Sequence, residues 1–256
     1  MTKLRLDRLL VDRGLVPSRE RAQALILAGK VLVDEQKVEK AGAPVTSDAA
    51  IRLLGEDLRY VSRGGLKLEH ALAHWKIGLE GRTCVDVGAS TGGFTDAMLQ
   101  HGALRVVAID TGYGQIAARL RDEPRVRLLE RTNARHLTAA QLAPLASAPV
   151  GFVAMDVSFI SATLVLPAVI RSVRELAHAS LFELVVLVKP QFEAGREKVG
   201  KGGIVHDPAA QQAAVERVRE TVTALGGSAI EVTDSPITGA EGNQEFLLHA
   251  VFEPMR

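Results

Sequence analysis

The sequence predicts a protein of two domains, in which a small α+β module precedes a doubly wound α/β domain. From residue 66 onward, helical stretches alternate with short runs that are almost continuously apolar. Such alternation is typical of a parallel sheet covered by helices on both faces. The length agrees with this prediction, because 256 residues with 47% hydrophobic composition can form one large core and one small appendage.

The N-terminal module is expected to have the order helix, helix, strand, turn, strand. Apolar residues repeat at helical spacing in two stretches, and the second stretch opens at Ser18, a suitable N-cap residue. The runs KVLVD and AIRLL then predict two strands on either side of the turn-forming stretch KAGAPVTSDA. We place this module at residues 1–60, a linker at 61–65 and the second domain at 66–256.

The second domain is expected to contain a seven-stranded, mostly parallel sheet. Its helices are predicted at 66–76, 93–101, 113–121, 137–146, 160–176 and 207–225. Its strands are predicted at the runs TCVDVG, RVVAID, RVRLLE, GFVAMDV, LVVLVKP, AIEVTDS and EFLLHAVF. Because no helix separates the last two runs, we expect them to form an antiparallel hairpin at one edge of the sheet.

Positive charge is concentrated in the N-terminal module. The whole chain has a net charge of +1, but residues 1–33 contain seven Lys or Arg against three Asp or Glu. A cluster of this kind on two short helices is typical of a surface that binds phosphate groups. A solvated helix face would show the same pattern, so charge alone leaves both interpretations open.

The sequence favours a cytoplasmic protein without membrane contact. The single cysteine, Cys84, excludes an internal disulfide and fits a reducing compartment. The N-terminus has no continuous apolar stretch of the signal-peptide kind, and the longest apolar run, LVVLV, is far too short to span a bilayer. No metal-ligand cluster is predicted, and the sequence sets no oligomeric state.

A glycine-rich turn, DVGASTGGF, follows the first predicted strand of the second domain. The stretch GASTG fits the nucleophile turn of hydrolases, but that turn normally follows several earlier strands and needs an oxyanion loop, which we do not find. A dinucleotide site requires G-x-G-x-x-G, and this chain has Ser90 at the second glycine position. Both interpretations are therefore less well supported than a binding site for a cofactor without phosphate groups.

S-adenosylmethionine is the cofactor that the turn favours. Its cationic groups suit an acid at the end of the first strand, where Asp86 stands, and its ribose suits Asp110 at the end of the next strand. Asn133 follows the third strand and could bind the adenine edge. The predicted cofactor-binding residues are Asp86, Gly88, Ser90, Gly92, Gly93, Phe94, Asp110, Asn133 and Asp156.

Charged residues also stand where chemistry is expected, at the ends of later strands. Asp156 and Lys189 end the fourth and fifth strands, Glu245 begins the last, and Lys67 precedes the first. Two lysines and two acids at one site would be costly to bury unless they were paired, so their convergence would indicate function. A lysine beside another cation and an apolar wall loses its proton more readily and can act as a base.

The ordered motifs resemble two known families over almost the whole chain. RLDRLLVDRGLVPSRERAQALILAGKVLVD is similar to the ribosomal protein S-four-type RNA-binding domain. The set YVSRGGLKLEHAL, CVDVGASTGGFTDAMLQHGA, MDVSFIS, LVKPQFEAGR and GNQEF resembles the TlyA (hemolysin A) family of FtsJ-like ribosomal RNA 2′-O-methyltransferases. The resemblance implies a Rossmann-like methyltransferase domain that uses S-adenosylmethionine on cytidines of 16S or 23S rRNA.

The resemblance also implies roles for particular residues. Its catalytic tetrad of lysine, aspartate, lysine and glutamate falls on Lys67, Asp156, Lys189 and Glu245. Lys189 would be the base, Asp156 and Glu245 would orient it, and Lys67 would favour its neutral form or hold the target ribose. The expected RNA contacts are Arg5, Arg8, Arg19, Arg21, Lys30 and Arg63. The haemolysin label of the family has no counterpart in membrane-active segments of this sequence.

Two other functions compete with rRNA methylation at this stage. A factor that binds rRNA or the ribosome without catalysis could use the same fold as a scaffold. An NTPase is suggested by GREKVGK, which has the spacing of a phosphate-binding loop, but Gly202 follows where that motif needs Ser or Thr. We interpret this stretch as a mobile loop that could close over RNA.

Overall fold

The computed structural model describes residues 3–16, 18–54, 59–177, 180–239 and 242–254. Contacts within the chain divide it into two compact units, Met1–Arg59 and Tyr60–Arg256. Each unit has its own hydrophobic core. No helix of the described ranges could span a bilayer, and the longest of them has 17 residues.

The N-terminal unit packs two helices against short strands. In chain order its elements are β1 (Lys3–Arg5), α1 (Leu6–Asp12), α2 (Arg19–Leu27), β2 (Val31–Val33), β3 (Gln36–Lys37), β4 (Pro44–Thr46) and β5 (Ile51–Leu53). Strand β2 lies between β3 and β5, while β1 pairs with β4. The predicted N-cap is confirmed, because the Ser18 hydroxyl accepts a hydrogen bond from the Arg21 backbone N–H. Sequence patterns missed β1, β3 and β4, which are too short to show alternation.

The second unit contains the predicted seven-stranded sheet. Its strands are β6 (Thr83–Val87), β7 (Arg105–Ile109), β8 (Val126–Leu129), β9 (Val150–Met155), β10 (Phe182–Val188), β11 (Ser228–Asp234) and β12 (Phe246–Phe252). The spatial order is β11-β12-β10-β9-β6-β7-β8. Strand β12 runs antiparallel to both of its neighbours, while β10, β9, β6, β7 and β8 are parallel.

Helices cover the sheet, and their bounds differ from the predicted ones at several helix ends. They are α3 (Gly64–His74), α4 (Gly93–Gln100), α5 (Ala118–Arg121), α6 (Ala139–Ala146), α7 (Ala162–Ala177), α8 (Pro190–Glu193) and α9 (Pro208–Ala224). Helix α5 is shorter than the helix predicted at 113–121, since Gly114 adopts a left-handed φ of +70°. Helix α3 begins inside the segment 61–65 predicted as a linker, and Gly65 packs against the ring of Tyr60.

The antiparallel edge of the sheet is confirmed, with one detail that the sequence did not give. Strand β12 enters between β10 and β11 instead of lying outermost. Burial explains the choice, because most of β12 is buried on both faces while β11 has several exposed positions. The more apolar strand takes the inner place, where it is shielded from water.

Candidate active site

Four predicted site residues meet at the carboxyl edge of the parallel strands. Asp156 and Lys189 directly follow β9 and β10, and Lys67 lies on α3. Glu245 precedes β12, whose antiparallel direction brings its first residues to this same edge. The register pairs Val188, the last residue of β10, with Phe246, the first residue of β12. Lys189 and Glu245 are therefore adjacent at the same edge of the sheet.

The four side chains form two separate ion pairs. The Lys67 Nζ lies 2.5 Å from Glu245 Oε2, and the two side chains are only 10% and 2% exposed. The Lys189 Nζ lies 2.7 Å from Asp156 Oδ1. The structure therefore joins Glu245 to Lys67, whereas the sequence suggested that Glu245 would orient Lys189. The reason is that α3 packs against β12 and brings Lys67 to Glu245.

Two cavities open at this edge. The first, here called the lysine cavity, has a volume of about 290 Å³, and Lys67, Lys189, Asp156, Gly93 and Phe94 contribute to its wall. The second, here called the aspartate cavity, has a volume of about 280 Å³. Its wall includes the predicted cofactor residues Gly88, Ser90, Asp110, Asn133 and Asp156. Gly88, Ser90, Asp156 and Ser158 line both cavities, so the two spaces meet beside the pair of Lys189 and Asp156.

Asp86 lies beneath the glycine turn and is fully buried. Its Oδ2 accepts a hydrogen bond of 2.6 Å from the Thr95 hydroxyl, while its buried Oδ1 has no hydrogen-bond partner. Burial, reinforced by the charges of Asp156 and Asp110, raises the pKa of Asp86 from 3.8 to about 7. An acid of this kind can accept a proton or a cationic ligand near neutral pH.

The glycines of the turn are required by close contacts within the protein. Gly88 has a φ of +88°, and a Cβ there would lie 2.3 Å from the Asp156 carbonyl oxygen. A Cβ at Gly92 would meet Leu120, and one at Gly93 would meet Ser62. The turn therefore lets β6, β9 and the start of α3 approach one another. This packing is a second reason for these glycines, beside the predicted approach of a cofactor.

Backbone amides hold Asp110 in place at the rim of the aspartate cavity. Its carboxylate accepts hydrogen bonds from the Ser90 N–H at 2.8 Å and the Gly112 N–H at 2.6 Å. Each carboxylate oxygen has a second lone pair that can accept a further hydrogen bond. Asn133 accepts a hydrogen bond from the Arg135 N–H and caps a short 3₁₀ turn. Both side chains are thus fixed in the positions that the strand-end argument predicted.

Ser158 and Phe159, which follow Asp156, contribute to the wall of the aspartate cavity beside the residues predicted to bind the cofactor. The Ser158 hydroxyl accepts a hydrogen bond of 2.6 Å from Lys189 Nζ. Phe159 is 93% exposed, adopts a left-handed φ of +66° and lies with its ring centroid 5.6 Å from that of Phe192. Their only sequence signal is position, because they follow the carboxyl end of a parallel strand.

The predicted RNA contacts of the N-terminal unit surround a buried acid. Arg5 and Arg19 both lie 2.9 Å from Asp7 Oδ2, and the Gln23 amide donates to the same oxygen at 3.0 Å. The Asp7 side chain is fully buried while both arginines are more than half exposed. The hydrogen bond from Arg5, with help from Gln23 and Arg19, lowers the pKa of Asp7 well below its usual range.

The other predicted RNA contacts lie in less constrained places. Arg8 is 72% exposed and forms a loose ion pair with Asp12, while Lys30 is exposed and Arg21 is half-buried. In the second unit, Arg63 lines the lysine cavity and donates a hydrogen bond of 3.0 Å to the Thr238 carbonyl. This contact keeps an exposed guanidinium beside the cavity.

The loop GREKVGK does not have the structure of a phosphate-binding loop. A 3₁₀ turn at Arg196–Lys198 occupies it, and α9 begins only at Pro208. The buried Asn243 accepts a hydrogen bond from the Val205 N–H and donates one to the Gly203 carbonyl. These bonds tie the end of the loop to the segment that carries Glu245. Its predicted closure over RNA stays a prediction.

Comparisons with known proteins find a family model for each unit. A family model described as FtsJ-like methyltransferase matches residues 60–252, and an S4 domain matches residues 4–51. The rRNA methyltransferase candidate YqxC of Bacillus subtilis is 46% identical over 96% of this chain and 85% of its own length. The 16S/23S rRNA (cytidine-2′-O)-methyltransferase TlyA of Mycobacterium tuberculosis is 44% identical over 96% of this chain and 89% of its own length.

Solved structures show the same likeness. A hemolysin candidate from Streptococcus thermophilus is 40% identical, with a TM-score of 0.73 over 99% of this chain and 90% of its own. A hemolysin candidate from Lactococcus lactis is 46% identical, with a TM-score of 0.70 over 77% of this chain and 91% of its own.

Among the described residues of this chain, no group of three His, Cys, Asp or Glu side chains could hold a metal ion.

Proposed function

Because the chain belongs to the FtsJ-like methyltransferase family, we propose that it transfers a methyl group from S-adenosylmethionine to a ribose 2′-hydroxyl of ribosomal RNA. The observation that carries the proposal is the pair of Lys189 and Asp156 at the junction of two cavities. The name of the relative from Mycobacterium tuberculosis suggests a more specific substrate, a cytidine of 16S or 23S rRNA.

The aspartate cavity is the proposed site of the cofactor. Its residues fit S-adenosylmethionine, because Asp110 offers carboxylate lone pairs to ribose hydroxyls and Asn133 offers an amide near the expected adenine. The unpartnered Oδ1 of Asp86 lies beneath the turn, and the ionised carboxylate would supply a negative charge that favours the cationic cofactor. When bound, S-adenosylmethionine supplies a methyl group on a sulfonium that is open to attack by a nucleophile.

The lysine cavity is the proposed site of the target nucleotide. A ribose hydroxyl is a weak nucleophile while it keeps its proton, so a base must accept that proton during transfer. Lys189 lies where the two cavities meet, and its neutral amine can accept the proton at Nζ. Asp156 then stabilises the ammonium that forms. General-base assistance of this kind typically contributes about 10²- to 10⁴-fold in rate.

The pair of Lys67 and Glu245 has a different proposed role. Both side chains are buried and they neutralise each other, so the Lys67 ammonium can border the cavity without an uncompensated charge. Its remaining N–H groups can hold the ribose or the phosphate of the target nucleotide. We assign positioning to this pair and proton transfer to Lys189.

RNA binding is proposed for the N-terminal unit, with Arg63 as a contact in the second unit. The S4 match and the exposed guanidiniums of Arg5, Arg8 and Arg19 support this assignment. Arginine forks bind phosphate oxygens in two-pronged geometry and fix the orientation of an RNA without reading its bases.

The test is methylation of rRNA from cells that lack the protein, with ribose methylation mapped by mass spectrometry. We expect Lys189→Ala to lower the rate about 10²- to 10⁴-fold while the Kd for S-adenosylmethionine changes little. Lys189→Arg should be equally slow, because a guanidinium keeps its proton. Lys76→Ala, which removes an exposed lysine at the end of α3, is the matched control and should retain full activity.

Two results would contradict the proposal. Full turnover by Lys189→Ala would show that Lys189 is not the base. Tight binding of S-adenosylmethionine by the wild-type protein, without methylation of any rRNA or subunit, would favour a factor that binds the ribosome without catalysis.

A further inference from the structure

We propose that Ser158 is a positioning residue that directs the lone pair of Lys189 toward the methyl acceptor. This inference rests on the proposed function, since it concerns the base of that reaction. It is carried by the hydrogen bond between Lys189 Nζ and Ser158 Oγ and by the place of Ser158 on the wall of both cavities.

The two neighbours of the Lys189 amine act on it in different ways. Asp156 Oδ1 lies 2.7 Å from Nζ as an ion pair, and this oxygen has no hydrogen-bond partner. Ser158 Oγ accepts a hydrogen bond of 2.6 Å from Nζ. Charge attraction holds the ammonium near Asp156, whereas a hydrogen bond depends steeply on direction. Ser158 is therefore the neighbour that sets the rotation of the amine about its Cε–Nζ bond.

This rotation matters once the amine is neutral. A neutral lysine has two N–H bonds and one lone pair in three staggered positions. Ser158 takes one hydrogen, and the negative charge of Asp156 repels a lone pair and attracts the second hydrogen. The lone pair therefore occupies the third staggered position, which we propose faces the methyl acceptor. Without Ser158 the attraction of Asp156 would be the main constraint, and the lone pair would spend part of its time away from the acceptor.

The backbone after β9 holds Ser158 in this position. Hydrogen bonding continues past the strand, because the Asp156 N–H donates to the Val87 carbonyl at 2.9 Å. From this segment, Asp156 and Ser158 both contact the Lys189 amine. Phe159 then turns the chain with a φ of +66°, a conformation that bulky residues rarely adopt outside strained functional segments.

The experiment compares Ser158→Ala and Ser158→Thr with the wild-type protein. Each is measured for kcat, for KM with rRNA and for the Kd of S-adenosylmethionine. We expect Ser158→Ala to lower kcat roughly 10-fold, a fraction of the whole contribution of the base, while KM and Kd stay within about twofold. Ser158→Thr keeps the hydroxyl and should recover most of kcat.

Ser228→Ala is the matched control. Ser228 lies on the edge strand β11, and its hydroxyl donates a hydrogen bond to the Val251 carbonyl on β12. Removal of this hydroxyl should leave kcat, KM and Kd unchanged. Retained cofactor binding by Ser158→Ala shows that the variant is folded.

The outcomes separate this inference from the proposed function. An inactive wild-type protein would overturn the proposed function itself. With an active wild type, a kcat of Ser158→Ala within twofold of wild type would overturn the inference alone. A loss that appears mainly in KM or Kd, or a Ser158→Thr variant as slow as Ser158→Ala, would also overturn it, because positioning of the amine acts on kcat through the hydroxyl.

Discussion

The acid cluster of the N-terminal unit and the site of the second unit both pair acids with cations, but in different proportions. In the N-terminal unit a single buried carboxylate, Asp7, contacts two arginines that remain more than half exposed. In the site of the second unit, Lys67 and Lys189 each have their own carboxylate, and both lysine side chains are only 10% exposed. The first arrangement keeps a net positive charge at the surface, and the second is neutral.

This difference agrees with the role proposed for each arrangement. Exposed arginines attract phosphates only if their charge is not cancelled, and one shared acid fixes two guanidiniums without neutralising both. A buried lysine is tolerated only if a carboxylate compensates it. Neutral pairing also allows one amine to exchange a proton in a site that is sheltered from water. The ratio of acids to cations is therefore what we expect to differ between the proposed binding surface and the proposed reaction site.

The largest effect is expected from breaking a buried pair. Glu245→Leu would leave the Lys67 ammonium buried without a partner, so we expect the free energy of unfolding to fall by about 3–5 kcal/mol. The double variant Lys67→Met with Glu245→Leu should recover most of that stability, because it removes both charges, yet remain inactive. Denaturant unfolding and methylation assays check these outcomes. A double variant as unstable as the single one would show that the pair is not the cause.

A smaller loss is expected when the shared acid of the N-terminal unit is neutralised. Asp7→Asn should lower the local stability of α1 and α2 by about 2 kcal/mol at pH 7, since two guanidiniums lose a charged partner. Because the pKa of Asp7 is lowered by folding, the wild-type carboxylate stabilises the fold above its ordinary value of 3.8 and loses this effect as pH falls. The penalty should therefore shrink below pH 3.8.

Hydrogen exchange of amides in the full chain measures this local stability. Asp12→Asn is the control, because Asp12 lies on the same helix but is 52% exposed in its pair with Arg8. It should cost less than about 0.5 kcal/mol. Equal losses in the two variants would mean that burial of Asp7 has no special effect.

The buried acids of the two units differ in the direction of their pKa shifts, because the pKa of Asp7 is lowered and that of Asp86 is raised. We therefore expect a pH dependence of cofactor binding in the second unit. Folding raises the pKa of Asp86 from 3.8 to about 7, so between these values the folded protein holds a proton that the unfolded chain has lost. Stability contributed by this group therefore falls as pH rises through that window. A cationic ligand favours the ionised form, and we expect the affinity for S-adenosylmethionine to rise about 10-fold from pH 6 to pH 8.

Asp86→Asn removes this titration while keeping an oxygen that can accept from Thr95. Its affinity should be weaker at pH 8 and nearly independent of pH over the same range, as measured by calorimetry. A variant with the pH dependence of the wild type would assign the titration to another group.

The smallest effect is expected from single arginines of the N-terminal unit. Arg8→Ala and Arg19→Ala should each weaken rRNA binding by a few-fold, and each should reduce the slope of log affinity against log salt by roughly one. Arg19 is held by Asp7 and Arg8 only loosely by Asp12, so Arg19→Ala should have the larger effect. Binding titrations at several salt concentrations test this order. A larger effect of Arg8→Ala would argue against prepositioning by Asp7.

Much of the second unit could be predicted because its signals are local. Apolar runs and helical periodicity identified the seven strands, and the rule that parallel strands end at one edge placed Asp110, Asp156 and Lys189 near one another. Shorter elements escaped prediction. The three-residue strands β1 and β4 exist only because they pair with each other, and no local pattern marks them.

By itself, the sequence determined the alternation of helices and strands, the glycine turn and the strand-end positions of the charged residues. Only the tertiary structure decided how those charges are paired. Glu245 contacts Lys67 across 178 positions of the chain, Lys189 donates a hydrogen bond to Ser158, and Asp7 contacts two arginines. The physical reason is that periodicity records which face of an element is buried, whereas the choice of an ionic partner depends on which elements pack together.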